Sequence, residues 1–141
     1  MTPKFKTRDV GKSLYTNYLK RAEECYHAAK NSFEAREWNA ATISAVHACI
    51  AASDAMCVYF LGKRNTGESH HEAAALFKTI KTDDKEINTN VNRISRILGI
   101  KNMAEYEDRL VLRTEAEKVL KDCERFLEYV ETKLPALSAL E

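Results

Sequence analysis

Apolar positions recur every three or four residues along most of this 141-residue chain, the period of helices that bury one face. From about Lys12 to Ala35, the residues Leu14, Tyr18, Ala22, Cys25, Ala29 and Phe33 form one such stripe. The next run, "WNAATISAVHACIAASDAMCVYFL" from Trp38 to Leu61, is apolar on several faces. Ala41, Ala45, Ala48, Ala52 and Ala55 form a small-residue stripe in it, with Ile43, Val46, Ile50 and Val58 elsewhere around the helix. That pattern predicts a central helix that a neighbour can approach closely. A third helix is expected to open at Ser69, where "SHHE" has the form of a capping box. Ala73, Leu76, Phe77 and Ile80 then point inward until "KTDDKE" interrupts, and about Lys85 to Leu98 resumes with Ile87, Val91, Ile94 and Leu98. A last helix begins at Thr114 with a second box, "TEAE". It carries Ala116, Leu120, Cys123, Leu127, Val130 and Leu134 at heptad-like spacing. No segment alternates with strand period for long enough to compete. The expected fold is all-α: an antiparallel bundle of four main helices with the third broken in two. A single domain is expected over residues 1–141, with its core at about 12–134.

Composition sharpens this picture. Four glycines and two prolines are few, and Pro3 and Pro135 sit near the ends, as long helices require. The 22 Lys+Arg and 21 Asp+Glu leave a net charge of +1. That balance excludes a bulk electrostatic drive toward nucleic acid or acidic membranes while leaving room for a local basic patch. Cys25, Cys49, Cys57 and Cys123 form no CxxC pair, and each falls on an apolar helical pattern. They read as small buried hydrophobes, with no metal and no cofactor expected. Neither a signal peptide nor an apolar run able to span a bilayer is expected, which points to the cytoplasm and away from membranes.

The densest polar chemistry lies in "GKRNTGESHHEAAALF", Gly62 to Phe77. His70 and His71 fall in the first turn of the third helix, where free backbone N–H groups attract anions. Arg64 could hold a phosphate while His70 takes a proton from a ribose hydroxyl. A simpler reading also accounts for the stretch: Ser69 and Glu72 start the helix, and Gly62 and Gly67 shape a loop before it. Adjacent histidines point about 100° apart on a helix and are poor joint ligands for one metal. A helix cap comes first on these grounds, and an anion site second. His27 and His47 read as core or surface residues, and Asp54 as hydrogen-bonded to a neighbouring helix or facing a groove.

Taken in order, several segments resemble the HEPN domain family. "NAATISAVHACIAASDAMCVYFLG" is similar to the family's second helix, and "ESHHEAAALF" to the histidine-led short helix that follows. "KNMAEYEDRLVLRTEAEKVLKDCERFLEYVETKL" is similar to its closing region. The resemblance implies a dimer-forming helical bundle. Family members include ribonuclease toxins paired with nucleotidyltransferases, and nucleotide- or RNA-binding modules without cleavage activity. The family's nuclease signature is an arginine followed by four to six residues and a histidine, and "RNTGESH" has that spacing with Arg64 and His70. It stands after the second helix, however, whereas the signature lies near the last. In the closing region Lys101, Tyr106 and Arg109 are followed by no histidine.

The resulting expectation is a non-catalytic HEPN-type module that contacts a nucleotide or RNA phosphate through Arg64, His70, His71, Lys101 and Arg109. Its expected partners are a second copy of itself and a nucleotidyltransferase. The alternative is a metal-independent ribonuclease toxin with Arg64 and His70 as the catalytic pair. Trp38, Val58, Tyr59 and Phe60 add apolar surface to the second helix, so the homodimer interface is expected near that helix's ends and the Gly62–Ser69 loop.

Overall fold

A computed structural model describes residues 5–80 and 84–137, apart from the side chain of His70. After a short strand β1 (Thr7–Asp9) and a single 3₁₀ turn (Lys12–Leu14), helix α1 runs over Tyr15–Glu34 and α2 over Trp38–Leu61. Strand β2 (Lys63–Asn65) and helices α3 (His70–Lys78), α4 (Ile87–Gly99), α5 (Lys101–Tyr106) and α6 (Arg113–Lys133) follow.

Ring contacts at both ends set the direction of the first pair. Phe33 meets Trp38 across the tight turn at 5.1 Å, and Tyr15 meets Tyr59 at the opposite end at 4.9 Å. These contacts make α1 and α2 antiparallel neighbours. Two ion pairs do the same for α4 and α6: Asp84 with Lys133 at 2.9 Å, and Arg96 with Asp122 at 2.9 Å. The expected all-α bundle is the fold found.

Helix α2 is its centre. All five alanines of the small-residue stripe are buried, as are Val46, Met56 and Val58. Small side chains let helix axes come close, so α1 and α6 both lie against α2. Ala22 and Ala29 of α1 and Phe126, Leu127 and Val130 of α6 complete the same core. By length and composition α2 could cross a membrane, contrary to the expectation that no apolar run is long enough. Its burial by α1 and α6 is instead what a core helix shows. Val58, offered above as interface surface, is fully buried, while Phe60 is exposed.

Three local expectations change. A two-stranded antiparallel sheet exists although no strand was predicted, pairing Thr7 with Asn65, Arg8 with Arg64 and Asp9 with Lys63. Three-residue strands are too short to show a period, and the segment expected to be loop therefore hides one. Gly62 makes this strand possible. It ends α2 in the left-handed region at φ 69°, its N–H bonds to the Val58 carbonyl at 3.0 Å, and its own carbonyl accepts from Val10 at 2.9 Å. At α3, the Ser69 hydroxyl accepts from the His71 N–H at 3.2 Å rather than from Glu72. The Glu72 carboxylate instead lies over Gly67, where a Cβ would collide with it. At α6 the N-cap is Leu112, two residues before the expected Thr114, and it carries no side-chain acceptor. The expected Thr114–Glu117 box is not the one that forms: Glu115 accepts from the Leu112 N–H at 3.0 Å instead.

Asn39 of α2 holds the α5–α6 connection. Its amide donates to the Ala104 carbonyl at 3.3 Å and accepts from the Val111 N–H at 2.8 Å. Val111 is buried, so losing that acceptor strands a backbone donor away from water. Asn39→Ala should therefore cost about 1–3 kcal/mol in urea unfolding. Asn39→Asp, which keeps the acceptor, should lose clearly less. Equal losses would show that the Val111 bond is not what holds the connection.

Candidate functional site

One cavity of about 430 Å³ draws its walls from most of the elements, a size that suits a small organic ligand. Arg21 and Cys25 enter from α1, one helical turn apart. His47, Ile50, Ala51 and Asp54 enter from α2 at spacings of three, four and seven, so one stripe of that helix faces the cavity. Strand β2 brings Arg64 and Asn65, and the loop to α3 brings Thr66 through Ser69. Ile94 and Leu98 of α4 and Lys101 at the start of α5 close the far side.

The charges in this cavity are unusual in what they lack. Among the described residues, Arg21, Arg64 and Lys101 have no ion-pair partner within salt-bridge distance. Arg64 is half-buried, and its guanidinium stands 5.9 Å from the centre of the Tyr18 ring. Its Nε is sealed from solvent and has no hydrogen-bond partner among the described residues, an arrangement that costs stability. Arg8 lies directly across the sheet from Arg64, a like-charge juxtaposition that an anion would offset.

Asp54 is the matching acid. It is only 9% exposed and accepts no hydrogen bond among the described residues. Burial pushes its carboxyl up to about 6, against the opposing pull of Arg64 and then Arg21. At the other end of the cavity the exposed His47 pairs with Glu105 of α5 at 3.6 Å. His47 and Asp54 are seven residues apart on one helix, so the cavity's two ends stand roughly 10 Å apart along α2. Burial raises both thiols in its wall, Cys25 and Cys49, above the ordinary thiol range, which disfavours the reactive thiolate.

The expected site residues divide accordingly. Arg64 and Lys101, distant in sequence, share the cavity. Arg109 does not: it donates twice to Glu115, at 2.9 and 2.8 Å, on the surface at the start of α6. That clamp holds the Glu115 carboxyl down at about 2, and it ties Arg109 to the residue that caps α6. His71 is exposed and outside the cavity wall. His70 has its backbone at the first position of α3, and its side chain lies outside the described residues. Asp54 faces a groove, one of the two roles expected for it. Arg21 was missed: it follows Lys20 on a helix that also carries Lys30, and nothing local separates it from solvent-facing cations.

The HEPN domain family model matches residues 15–133, and the chain belongs to that family. No curated protein matches it.

The buried carboxylate gives the site a pH signature. The folded state keeps the Asp54 proton up to about pH 6, where an ordinary aspartate has released it near 3.8. Its contribution to stability therefore falls as pH rises through that window and stays low above it. Asp54→Asn should stabilise the protein by about 1–3 kcal/mol at pH 8 and change little below pH 4, in parallel thermal melts. A variant less stable than the parent at pH 8 would mean that the carboxylate is held by its arginines more than it is penalised by burial.

Proposed function

We propose that this HEPN-family protein is a non-catalytic binding module whose cavity takes a nucleotide or the phosphate of an RNA. One observation carries the reading: three cations without an ion pair among the described residues, Arg21, Arg64 and Lys101, line a concave site with apolar walls. Side chains of that kind bind phosphate through charge-assisted hydrogen bonds, with arginine able to grip two oxygens at once. The non-catalytic assignment is supported by the absence of any histidine after Arg109 and by the capture of Arg109 by Glu115. The competing reading, a metal-independent ribonuclease using Arg64 and His70, draws on the spacing of "RNTGESH" and on His70 opening a helix.

The module acts in the cytoplasm as a homodimer with a nucleotidyltransferase partner. Support for assembly comes from the α5–α6 connection, where Tyr106, Leu110 and Leu112 are 74%, 75% and 59% exposed. Apolar side chains grouped this way are characteristic of interfaces.

Titration calorimetry at low salt tests the binding reading. Pyrophosphate and nucleoside monophosphates should bind, and Arg64→Ala and Lys101→Ala should each weaken nucleoside monophosphate binding by about tenfold or more. Arg109→Ala should leave binding unchanged. Mixed RNA incubated with the protein in chelator should stay intact; cleavage that His70→Ala abolishes would establish the ribonuclease instead. For assembly, light scattering should give a dimer mass that Leu112→Glu reduces, and a monomer in both samples would refute that part.

A further inference from the structure

We propose that the Asp54–Arg64 end of the cavity reads the Watson–Crick edge of a guanine, making the module selective for guanine nucleotides or unpaired guanosines in RNA. The proposal rests on the phosphate-binding reading above and adds to it the identity of the base.

A cavity built for phosphate alone has no use for a buried acid. Asp54 nevertheless lies in the wall, nine-tenths buried, on the same cavity-facing stripe of α2 as Ile50 and Ala51. It forms no hydrogen bond and no ion pair among the described residues. Buried polar groups are paired in folded proteins, and one left open toward a cavity points to a partner carried by the ligand. The partner must supply N–H donors. It must also carry negative charge elsewhere, because Arg21, Arg64 and Lys101 in the same cavity repel cations. A phosphorylated nucleoside meets both conditions.

The neighbouring arginine selects among the bases. Arg64 lines the cavity with Asp54, and the two are electrostatically coupled. Arg64 has no ion-pair partner among the described residues. Together they offer a donor beside a carboxylate with two acceptor oxygens. Guanine presents the complement in order: the O6 acceptor, then the N1–H and N2–H donors. Adenine would turn its N1 lone pair toward the carboxylate, cytosine would turn N3 and O2, and uracil flanks its one N–H with two carbonyls. Each of these leaves a buried acceptor facing an acceptor, which is the arrangement that discriminates most strongly. The ring itself fits against Ile50, Ile94 and Leu98. Roughly 10 Å further along α2, Lys101 and His47 stand where the phosphate of the same nucleotide would lie. Reading a base by its Watson–Crick edge in this way is open only to free nucleotides and unpaired RNA, since a duplex hides that edge.

The test is a calorimetric comparison of the 5′-monophosphates of guanosine, inosine, adenosine, cytidine and uridine at pH 7.5, with pyrophosphate as the base-free control. Guanosine monophosphate should bind about tenfold or more tightly than the adenosine, cytidine and uridine compounds. Inosine monophosphate, which lacks only the N2 amino group, should fall between. Asp54→Asn, verified as folded by its melting curve, presents an amide donor and acceptor and should lose the guanine preference in favour of adenine. Equal affinity for all the nucleotides, or a guanine preference that survives Asp54→Asn, would overturn the base reading while leaving phosphate binding in place. If neither pyrophosphate nor any nucleotide binds, the phosphate reading fails and the base reading falls with it.

Discussion

The close approach of α1 and α6 to α2, made possible by alanine, is the constraint on which the rest of this molecule depends. Ala41, Ala45, Ala48, Ala52 and Ala55 leave no bulk between the helices, so α2 is enclosed along most of its length. An enclosed helix has few directions left in which to place a polar residue. Asp54 faces a side where the enclosure opens, between α1, β2 and α4. The cavity is thus a consequence of how the bundle closes: tight where alanines meet, open where α3 and α4 replace a single long helix.

The same logic explains the short sheet. A chain leaving α2 at Leu61 must turn back along the bundle, and Gly62 makes that turn in a conformation that other residues reach only with strain. Pairing with Thr7–Asp9 then makes the exit rigid over three residues, and Arg64 is the middle one. A loop would have left a long cationic side chain free to swing into water. A strand fixes its backbone beside Asp54, so the charge is held at the cavity before any ligand arrives. Positioning of that kind reduces the entropy lost on binding.

Helix period carried the bundle because it repeats over many turns. The α2 bounds could be read from spacing alone, as could the burial of Ala116, Cys123, Leu127 and Val130 in α6 and of Leu76, Phe77, Ile94 and Leu98. Leu120 is only half-buried, and Val119, Phe126 and Tyr129 are buried α6 residues outside the expected stripe. What was not legible falls below the length of one period. The strands span three residues each, and α5 is barely longer than a helical turn and a half. The two caps were visible as letter patterns, yet backbone geometry chose different partners: His71 for Ser69, and Leu112 for Glu115. The site divides in the same way. Arg64 and Asp54 stood out because each broke a local pattern, whereas Arg21 lies among other basic residues and gains meaning only from Asp54 across the helix interface. Arg109 looked equally eligible beside Lys101, and only the geometry of Glu115 separates the two.

The energetics of Asp54 tie fold to function more closely than any motif does. A bundle selected only for stability would place an apolar residue at that position, because an aspartate buried to this degree has its charged form disfavoured by lost solvation. Neither Arg64 nor Arg21 comes close enough to form an ion pair with it, so the compensation inside the protein is incomplete. Arg64 in the same wall, with no ion pair among the described residues, repeats the pattern with the opposite sign. Two incompletely satisfied groups of opposite charge, side by side and held apart by rigid elements, are poorly arranged for each other. They are well arranged for a third body that carries a donor toward one and an acceptor toward the other. The stability given up at this position is therefore the strongest physical argument that the cavity is a binding site rather than a packing defect.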